Sequence, residues 1–448
     1  MIRDDQLPEL ASLRAAEKGL PFRTNPSFAD LVVAADNNDA PVHRWFRLKE
    51  SFSPRLLASV LPTMYAEVPP RLCILDPFAG VGTTLLSAQE LRLLAPDAHV
   101  VGIERNPFIA FAARTKLNWK RIDVSRLVAD GERAIQAARE LSPPLPSLSS
   151  IRTGRCISQR NGRRIVAMRE AIRRGVQGAT ADALTLGLAA SIERLSKTRK
   201  DGRALRIVDR DPTRMVPTLR AQWGQIVQDC LELQEYSSKT PSCLLLEGDG
   251  RNPVQLGVQE GSVDLIFTSP PYPNNIDYSE VYKLELWLLG FIDDPCGFLD
   301  LRRQTFRSHP TCALPSPPRD FIYEVERGHL NDILGPILAR AADDGPRLRL
   351  FTGYFSDMWV TLRNMFLILR PGGYAVFVVG NSLHGGDKAA YLIPTDLAIA
   401  RMAQCLGFQV CETIIARNLK RRLTGNHFLR ESIIILKKAD ARKRQTKV

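Results

Sequence analysis

A short apolar run that ends in a glycine-rich turn constrains the fold of this 448-residue chain more than any other feature. Residues 71–76, Arg-Leu-Cys-Ile-Leu-Asp, lie between a Pro-Pro pair and an Asp-Pro pair, which gives them the length and bounds of a buried strand. Glycines follow at positions 80 and 82, and a helix is predicted from Thr83 onward. This order predicts the first strand–helix unit of a parallel sheet.

The same alternation of strand and helix recurs along the chain. A second strand is predicted at 99–104 and a second helix at 106–119. Further apolar runs predict strands at 242–249, 262–267 and 374–380, helices at 354–369 and 395–406, and a final antiparallel pair at 408–416 and 431–437. The expected fold class is therefore α/β, with a mostly parallel, doubly wound sheet and an antiparallel edge strand.

Residues 120–243 interrupt this pattern and carry most of the positive charge. The chain has 61 Lys+Arg and 48 Asp+Glu, a net charge of +13, and this segment holds 23 against 13, a net charge of +10. Its periodicity predicts helices at 125–141, 164–174, 182–197 and 219–235, without strand alternation. Such a segment attracts polyanions such as nucleic acids, although a solvated arginine-rich helical surface is the simpler alternative. Arginines crowd beside a single acid, Glu170, at Arg152, Arg155, Arg160, Arg163, Arg164, Arg169, Arg173 and Arg174.

Several classes of protein are excluded by composition. No apolar run approaches the ~18 residues of a membrane span, and the charged N-terminus is not followed by the apolar region of a secretory signal. The eight cysteines include no Cys-x-x-Cys pair, which argues against a zinc or redox motif. We therefore expect a cytoplasmic protein with reduced thiols, no metal and no membrane partner, ending in a basic, disordered tail at 439–448.

The turn at 76–84 reads Asp-Pro-Phe-Ala-Gly-Val-Gly-Thr-Thr, which is neither a dinucleotide-binding GxGxxG nor a P-loop. Independently, Glu104 stands 22 residues past Gly82 at a strand end, the place from which an acid binds ribose hydroxyls in nucleotide-binding folds. The nine-residue string resembles the methionine-binding signature of S-adenosylmethionine-dependent methyltransferases that act on amino groups of DNA bases. The resemblance implies a Rossmann-like methyltransferase fold and S-adenosylmethionine bound by Asp76, Phe78, Ala79, Gly80, Gly82, Thr83, Thr84, Glu104, Arg105, Asn106, Asp249 and Gly250, with Asp249 facing the adenine amino group.

A second string, Thr-Ser-Pro-Pro-Tyr at 268–272, ends the strand predicted at 262–267. Two prolines stiffen such a loop and turn its carbonyls outward. The Ser269 hydroxyl and the Pro270 carbonyl could accept hydrogen bonds from an exocyclic amino group, and Tyr272 could stack on a base turned out of the duplex. In the methyltransferase families that these motifs resemble, Ser-Pro-Pro-Tyr is typical of N4-cytosine enzymes, and Asp-Pro-Pro-Tyr or Asn-Pro-Pro-Tyr is typical of N6-adenine enzymes. The implied catalytic residues are Ser269, Pro270, Pro271 and Tyr272, and the implied substrate is DNA.

The resemblance covers most of residues 40–120 and 243–438. It includes the segments 43–53, 273–278, 307–310, 380–382 and 430–432, of which 43–53 is similar to the segment that closes over the methionine end of the cofactor. Many N4-cytosine enzymes carry the two motifs in the opposite order. We divide the chain into a cofactor-binding half at 1–119, a basic insertion for DNA or target recognition at 120–243, a catalytic half at 244–438 and the tail at 439–448.

Three other interpretations remain open. Adenine N6 is the alternative acceptor on DNA, an RNA base methyltransferase is the rival enzyme, and a nucleic-acid-binding protein with an inactive site is the rival without catalysis. A Pro-Cys pair at 295–296 could mark a covalent cysteine as in cytosine-C5 enzymes, but it lies well past the strand end that carries Ser269.

DNA contacts are predicted at Arg163, Arg164, Arg173 and Arg174, and a cognate restriction or defence nuclease is a candidate partner.

Overall fold

The chain folds around one eight-stranded sheet. The structure, a computed structural model, describes residues 7, 9–91, 95–146, 155–201, 205–234, 241–274, 276–309, 316–342, 345–385, 390–419 and 428–440. Arg152, Pro310 and the tail from residue 441 onward lie outside the described residues.

Most strands of the described part are apolar runs close to the predicted positions. Their bounds are β1 Phe22–Thr24, β2 Cys73–Asp76, β3 His99–Glu104, β4 Thr198–Lys200, β5 Leu205–Ile207, β6 Ser242–Glu247, β7 Val263–Thr268, β8 Leu369–Gly380, β9 Ser382–His384, β10 Tyr391–Ile393, β11 Phe408–Asn418 and β12 Arg430–Lys438.

Helices connect and cover these strands. Their bounds are α1 Leu10–Lys18, α2 Leu56–Val60, α3 Thr83–Glu90, α4 Pro107–Leu117, α5 Val124–Glu140, α6 Gln159–Gly175, α7 Gly178–Leu195, α8 Met215–Gln234, α9 Tyr278–Val281, α10 Lys283–Leu288, α11 Pro295–Gln304, α12 Arg319–Glu326, α13 Asn331–Ala341, α14 Gly345–Ile368 and α15 Thr395–Cys405. Several begin at side-chain caps, as when Asp123 and Ser158 accept backbone N–H bonds at the starts of α5 and α6.

The strand order in the main sheet is β1-β11-β12-β8-β7-β2-β3-β6. β2 pairs in parallel with β3 on one side and with β7 on the other, so the order reverses between β2 and β7. In open α/β sheets, ligands bind at this reversal, beyond the carboxyl ends of the strands. The predicted Rossmann-like, mostly parallel doubly wound sheet is confirmed, and it places the turns after β2 and β7 side by side.

Three details differ from the sequence-based expectation. The antiparallel strand is β12, which lies between β8 and β11 and not at the edge, whereas the edge strand β1 runs parallel to β11. The N-terminal residues, for which no element is predicted above, contribute this strand and the nine-residue helix α1. The insertion, expected to be wholly helical, contains the antiparallel hairpin β4–β5.

Apolar side chains cover both faces of the central strands, as expected for parallel strands that read as continuous apolar runs. Every residue of β7 is buried. Leu265 and Phe267 pack on the α2–α3 side, and Ile266 packs on the α14 side. No helix among the described residues has both the length and the hydropathy needed to cross a bilayer.

The four helices predicted in the insertion are confirmed as α5, α6, α7 and α8. Three of them, α5, α7 and α8, meet at Trp223, whose indole N–H donates a 3.1 Å hydrogen bond to the carbonyl of Leu184. A Cβ at Gly131 or Gly187 would lie 2.7 or 2.5 Å from this indole, so both positions require glycine for the helices to pack this closely. The same apolar cluster includes Phe108 of α4 and Trp287 of α10, so the insertion shares its core with the sheet domain.

Candidate active site

The two predicted motifs meet at the carboxyl ends of β2 and β7. Asp76 ends β2 and Thr268 ends β7. The Thr268 hydroxyl donates to Asp76 Oδ1 over 2.7 Å, and the Thr84 hydroxyl donates to Asp76 Oδ2. Asp76 thus ties together the glycine turn, the start of α3 and the loop that carries Ser269. Because Asp76 is buried, its pKa is raised to about 6.

Both glycines of the turn adopt backbone conformations that other residues rarely adopt. Gly80 has φ +53° and Gly82 has φ +84°. A Cβ at Gly82 would lie 3.3 Å from the Cβ of Ala113 in α4, and a Cβ at Gly80 would lie 3.0 Å from Cδ1 of Leu48. The turn is therefore enclosed by α4 behind and by the segment that contains Leu48 in front.

Glu104, at the end of β3, faces this turn. Its Oε2 accepts a 3.0 Å bond from the backbone N–H of Gly80, and its Oε1 accepts a 2.7 Å bond from the N–H of Asn106. Burial outweighs these bonds and raises the pKa of Glu104 to about 7. Asn106 in turn caps α4 by accepting from the N–H groups of Phe108 and Ile109. The carboxylate is therefore held rigidly at the position predicted for ribose binding.

Asp249, after β6, lies at the pocket but is already engaged by two arginines. Arg251 donates to it from Nε and Nη2 over 2.9 and 2.7 Å, and Nη1 of Arg105 lies 3.3 Å from Oδ2. Burial would raise the pKa of Asp249, but the hydrogen bonds from Arg251 outweigh burial and lower it. Next to it, a Cβ at Gly250 would lie 1.8 Å from the carbonyl oxygen of Pro77, so only glycine fits at this position.

The Ser-Pro-Pro-Tyr loop is fastened to the end of β8. The Ser269 hydroxyl donates a 3.1 Å bond to the carbonyl of Val378, and the Tyr272 hydroxyl lies 3.4 Å from the same carbonyl. The Tyr272 ring packs on the backbone of Gly380, where a Cβ would lie 3.0 Å from the ring. Burial raises the pKa of Tyr272, so the phenol is neutral. The Ser269 hydroxyl also lies 3.4 Å from the Tyr272 hydroxyl. An oxygen that donates its proton to Val378 can still accept a hydrogen bond.

One pocket joins both motifs. Of the predicted site residues, it is lined by Asp76, Phe78, Ala79, Gly80, Thr83, Glu104, Arg105, Asn106, Asp249, Gly250, Ser269 and Pro271. Gly82, Thr84, Pro270 and Tyr272 are not among its lining residues in the described part of the chain. Gly82 is the N-cap residue before α3, Thr84 supports Asp76, and Tyr272 braces the loop against β8. Aromatic and aliphatic side chains form much of the wall, which suits a flat ring between polar ends.

Several other lining residues are not among the predicted site residues. They are Leu48, Glu50, Ser51, Phe52, Tyr278, Thr305, Phe306, Ser308 and His309. All except Thr305 and Phe306 lie in segments whose family resemblance was noted. Glu50 is notable because burial raises its pKa to about 7. Only the fold brings these separate segments to one pocket, and no local pattern marks the individual side chains.

The insertion anchors the segment that leads into this wall. Asp229 of α8 is fully buried and accepts from the N–H of Val42 over 2.8 Å, from the indole N–H of Trp45 over 2.8 Å and from the guanidinium of Arg44. Val42 has φ +64°, a strained conformation for a β-branched residue that the bond to Asp229 helps to hold. The insertion is thus linked through 42–45 to the pocket residues that begin at Leu48.

The predicted DNA-contacting arginines do not form one cluster. All four are exposed, but Arg163 and Arg164 lie in the first turns of α6, and Arg173 and Arg174 lie in its last turn. Positions ten residues apart are separated by about 15 Å along a helix axis. Arg173 donates two hydrogen bonds to Glu170, and Arg174 lies 3.9 Å from the same carboxylate. Cys296, the alternative nucleophile, is exposed in the first turn of α11 and lies outside the pocket.

No protein-family model matches the chain. It is 24% identical to the type II methyltransferase M.BsoBI of Geobacillus stearothermophilus, over 91% of this chain and 88% of that protein. It is also 24% identical to the type II methyltransferase M.AvaI of Nostoc sp. PCC 7120, over 88% and 85%. Among solved structures, the rRNA methyltransferase aviRa of Streptomyces viridochromogenes matches at a TM-score of 0.32 and 11% identity, over 90% of this chain and 92% of that one. The chain is thus similar to type II methyltransferases along most of its length.

Proposed function

We propose that this protein transfers a methyl group from S-adenosylmethionine to the exocyclic amino group of a DNA base turned out of the duplex, with cytosine N4 as the acceptor. The observation that carries the proposal is the single pocket lined by both Glu104 and Ser269, at the reversal of the sheet. The similarity to two type II methyltransferases supports DNA as the substrate class.

The pocket residues fit this cofactor. Glu104 offers a buried, fixed carboxylate for two ribose hydroxyls, and Gly80 and Gly250 keep side chains out of the space beside it. Phe78 and Phe306 pack edge to face at 5.4 Å in the wall and provide apolar contact for an adenine ring. S-Adenosylmethionine supplies a methyl group on a sulfonium centre. Because its charge is positive, the carboxylates of Glu50 and Glu104 also favour it electrostatically.

The Ser-Pro-Pro-Tyr loop would activate the acceptor. The lone pair of an exocyclic amino nitrogen is delocalised into the base ring, which makes the nitrogen a poor nucleophile. In our proposal, Ser269 accepts a hydrogen bond from this amino group, because its own proton is used on Val378. The Pro270 carbonyl is the second proposed acceptor, and Tyr272 is the proposed stacking surface. Holding the base in line with the methyl group supplies a large part of such catalysis.

The base assignment rests on Ser269 at the first position of the loop, since Asp or Asn is typical of adenine N6 enzymes. Adenine N6 is the alternative. Methylation of an RNA base and nucleic-acid binding without catalysis are the other candidates, and the insertion's net charge of +10 suits each of them. We further propose that the insertion contacts DNA phosphates through Arg163, Arg164, Arg173 and Arg174, and that a cognate restriction nuclease is a partner.

Transfer of a tritiated methyl group separates these candidates. The full chain is incubated with S-adenosylmethionine labelled on the methyl group and with either duplex DNA or tRNA. We expect incorporation into DNA that is lost in Ser269→Ala and kept in Ser262→Ala, a surface control whose hydroxyl donates only to the carbonyl of Gln259. Incorporation into tRNA alone would support the RNA alternative, and incorporation into neither would support the binding protein.

A further inference from the structure

A buried histidine and aspartate beside the pocket have no role in the function proposed above. His309 lines the same pocket as Ser269 and is 4% exposed. Its Nδ1 lies 3.6 Å from Oδ2 of Asp277, and its Nε2 lies 3.4 Å from the hydroxyl of Thr305. Asp277 is five positions past Tyr272, so the imidazole is paired with the continuation of the Ser-Pro-Pro-Tyr loop.

Several contacts fix this pair in place. Asp277 Oδ1 caps α9 by accepting from the N–H of Ser279 over 3.0 Å, and Oδ2 accepts from Nε of Arg302 over 2.6 Å. On the histidine side, the Ser308 hydroxyl donates a 2.9 Å bond to the carbonyl of Ile276. The segment that carries His309 is therefore bound at two adjacent points to the segment that carries Asp277.

Arg307 holds the same segment from the other side, through both its backbone and its side chain. Its backbone N–H donates to Asp357 Oδ2 over 2.9 Å and its Nη2 donates to Oδ1 over 2.6 Å. Asp357 is 2% exposed on α14 and also accepts from Arg251, the residue that engages Asp249. A side chain held this firmly in a pocket wall is suited to proton transfer, because the geometry is set before the substrate binds.

The proposed reaction releases a proton. The nitrogen lone pair forms the N–CH₃ bond, the S–CH₃ bond breaks with its electron pair going to sulfur, and the methylated nitrogen then carries one hydrogen too many for a neutral base. We propose that His309 takes up this proton on Nε2 and that Asp277 positions the imidazole through Nδ1. The N–H bond breaks as the Nε2–H bond forms, so charge and atoms balance. This inference rests on the proposed methyl transfer.

The electrostatic surroundings agree with this role. Burial lowers the pKa of His309, the carboxylates of Asp277 and Glu280 raise it, and Arg302 lowers it, with a net decrease from the usual value. The imidazole is therefore neutral and able to accept a proton near pH 7.

Four carboxyl groups of the described residues line the same pocket: Glu50 and Glu104, whose pKa values are raised to about 7, Asp76, whose pKa is raised to about 6, and Asp249, whose pKa is lowered. Asp76 accepts from Thr84 and Thr268, and Asp249 accepts from Arg251. Since Glu104 is the proposed ribose ligand, Glu50 is left as the competing acceptor.

Single-turnover methyl transfer across pH 5.5–8.5 tests the proposal. We expect His309→Gln to slow transfer by about 100-fold with unchanged calorimetric affinity for S-adenosylhomocysteine, because general-base groups contribute about 10²–10⁴-fold. The acidic limb of the wild-type profile should disappear in His309→Gln and should shift to lower pH in Asp277→Asn. The control His329→Gln, at an exposed histidine paired with Glu324, should behave as wild type. A wild-type rate and profile in His309→Gln would overturn the proposal, and a limb lost instead in Glu50→Gln would assign the proton to Glu50.

A second readout does not depend on activity. In protein labelled with ¹³C in its histidine rings, the His309 resonance is assigned by its loss in His309→Gln. The pKa reported by this resonance should be lower with S-adenosylmethionine than with S-adenosylhomocysteine, which lacks the sulfonium charge, because the proposal would place that cation close to the imidazole. Equal pKa values of His309 with the two ligands would overturn its placement beside the reacting centre. This result would hold whether the chain methylates DNA, RNA or no acceptor.

Discussion

The Thr268 hydroxyl donates a 2.7 Å hydrogen bond to Oδ1 of Asp76, joining the ends of two adjacent parallel strands. The turn after Asp76 is the candidate cofactor loop, and the turn after Thr268 is the candidate catalytic loop. Since both partners are almost fully buried, this bond sets the spacing between the two loops without water as an intermediary.

Replacing Thr268 by valine tests this link. Valine has nearly the same shape but leaves the buried Asp76 carboxylate without one of its donors, and such a loss costs ~1–3 kcal/mol. We expect the free energy of unfolding in urea to fall by this amount. The control Thr361→Val removes a buried hydroxyl that donates only to a helical carbonyl, that of Asp357, and should cost less. Equal losses of unfolding free energy in the two variants would mean that the bond between Thr268 and Asp76 stabilises the fold no more than the control hydroxyl does.

Cofactor affinity should depend on pH through Glu104. Its pKa near 7 means that the carboxylate is mostly protonated at pH 6 and mostly charged at pH 8. The charged form accepts hydrogen bonds from ribose hydroxyls better, so affinity should rise with pH, by up to about tenfold between pH 6 and pH 8.

Calorimetry on variants identifies the group responsible. Glu104→Ala should weaken binding of S-adenosylmethionine at pH 8 by ~1–3 kcal/mol and flatten the pH dependence. Glu50→Gln should keep the larger part of the slope, because Glu50, whose pKa is also raised to about 7, is not the proposed ribose ligand. A flat profile in Glu50→Gln together with a normal slope in Glu104→Ala would refute the ribose assignment.

Ser269 and Tyr272 should act on the base and not on the cofactor. Ser269→Ala and Tyr272→Ala should abolish or strongly slow methylation with near-normal cofactor affinity, and Tyr272→Ala should lose ~1–3 kcal/mol of stacking on the base. Tyr272→Phe separates the ring from its hydroxyl, which braces the loop at Val378. Stopped-flow binding of DNA with a fluorescent base analogue at the target position measures the stacking. Wild-type methylation by the double alanine variant would show that the loop is not catalytic.

The four exposed arginines of α6 should contribute to DNA affinity through counterion release. Replacing Arg163, Arg164, Arg173 and Arg174 with alanine should reduce the slope of log K against log [salt] by about 0.9 for each genuine phosphate contact. A charge-matched control replaces four exposed arginines outside the insertion: Arg23, Arg319, Arg327 and Arg363. Fluorescence anisotropy from low to moderate salt gives both slopes.

The two ends of α6 can be tested apart. Arg173 and Arg174 lie beside Glu170, which partly neutralises them, so the pair at 163–164 should account for the larger change. Identical slopes in wild type and in the quadruple variant would mean that these arginines are a solvated face of the insertion.

The parts of this fold that depend on residues close together in the sequence could be predicted from it. The glycine turn at 80–82, the position of Glu104 and the four helices of the insertion follow from short-range patterns and were placed correctly. The interior position of β12 was not predicted, because apolar periodicity reveals a strand but not the strands on either side of it.

The pocket wall could be predicted only in part for the same reason. His309 and Asp277 lie 32 positions apart, and no spacing rule relates them before the chain folds. Three-dimensional placement likewise decides that Arg251 and Arg105 engage Asp249. It also decides how far apart the arginines of α6 lie. The motifs predict the chemistry of the site, and tertiary packing decides which side chains line the pocket.

The identity of the methylated nucleoside tests the central claim most directly. Duplex DNA of mixed sequence is incubated with the full chain and S-adenosylmethionine, digested to nucleosides and analysed by mass spectrometry against standards, with Ser269→Ala treated in parallel. The proposed function predicts N4-methyldeoxycytidine with wild type and none with Ser269→Ala. N6-methyldeoxyadenosine, 5-methyldeoxycytidine or the absence of any methylated deoxynucleoside would contradict it.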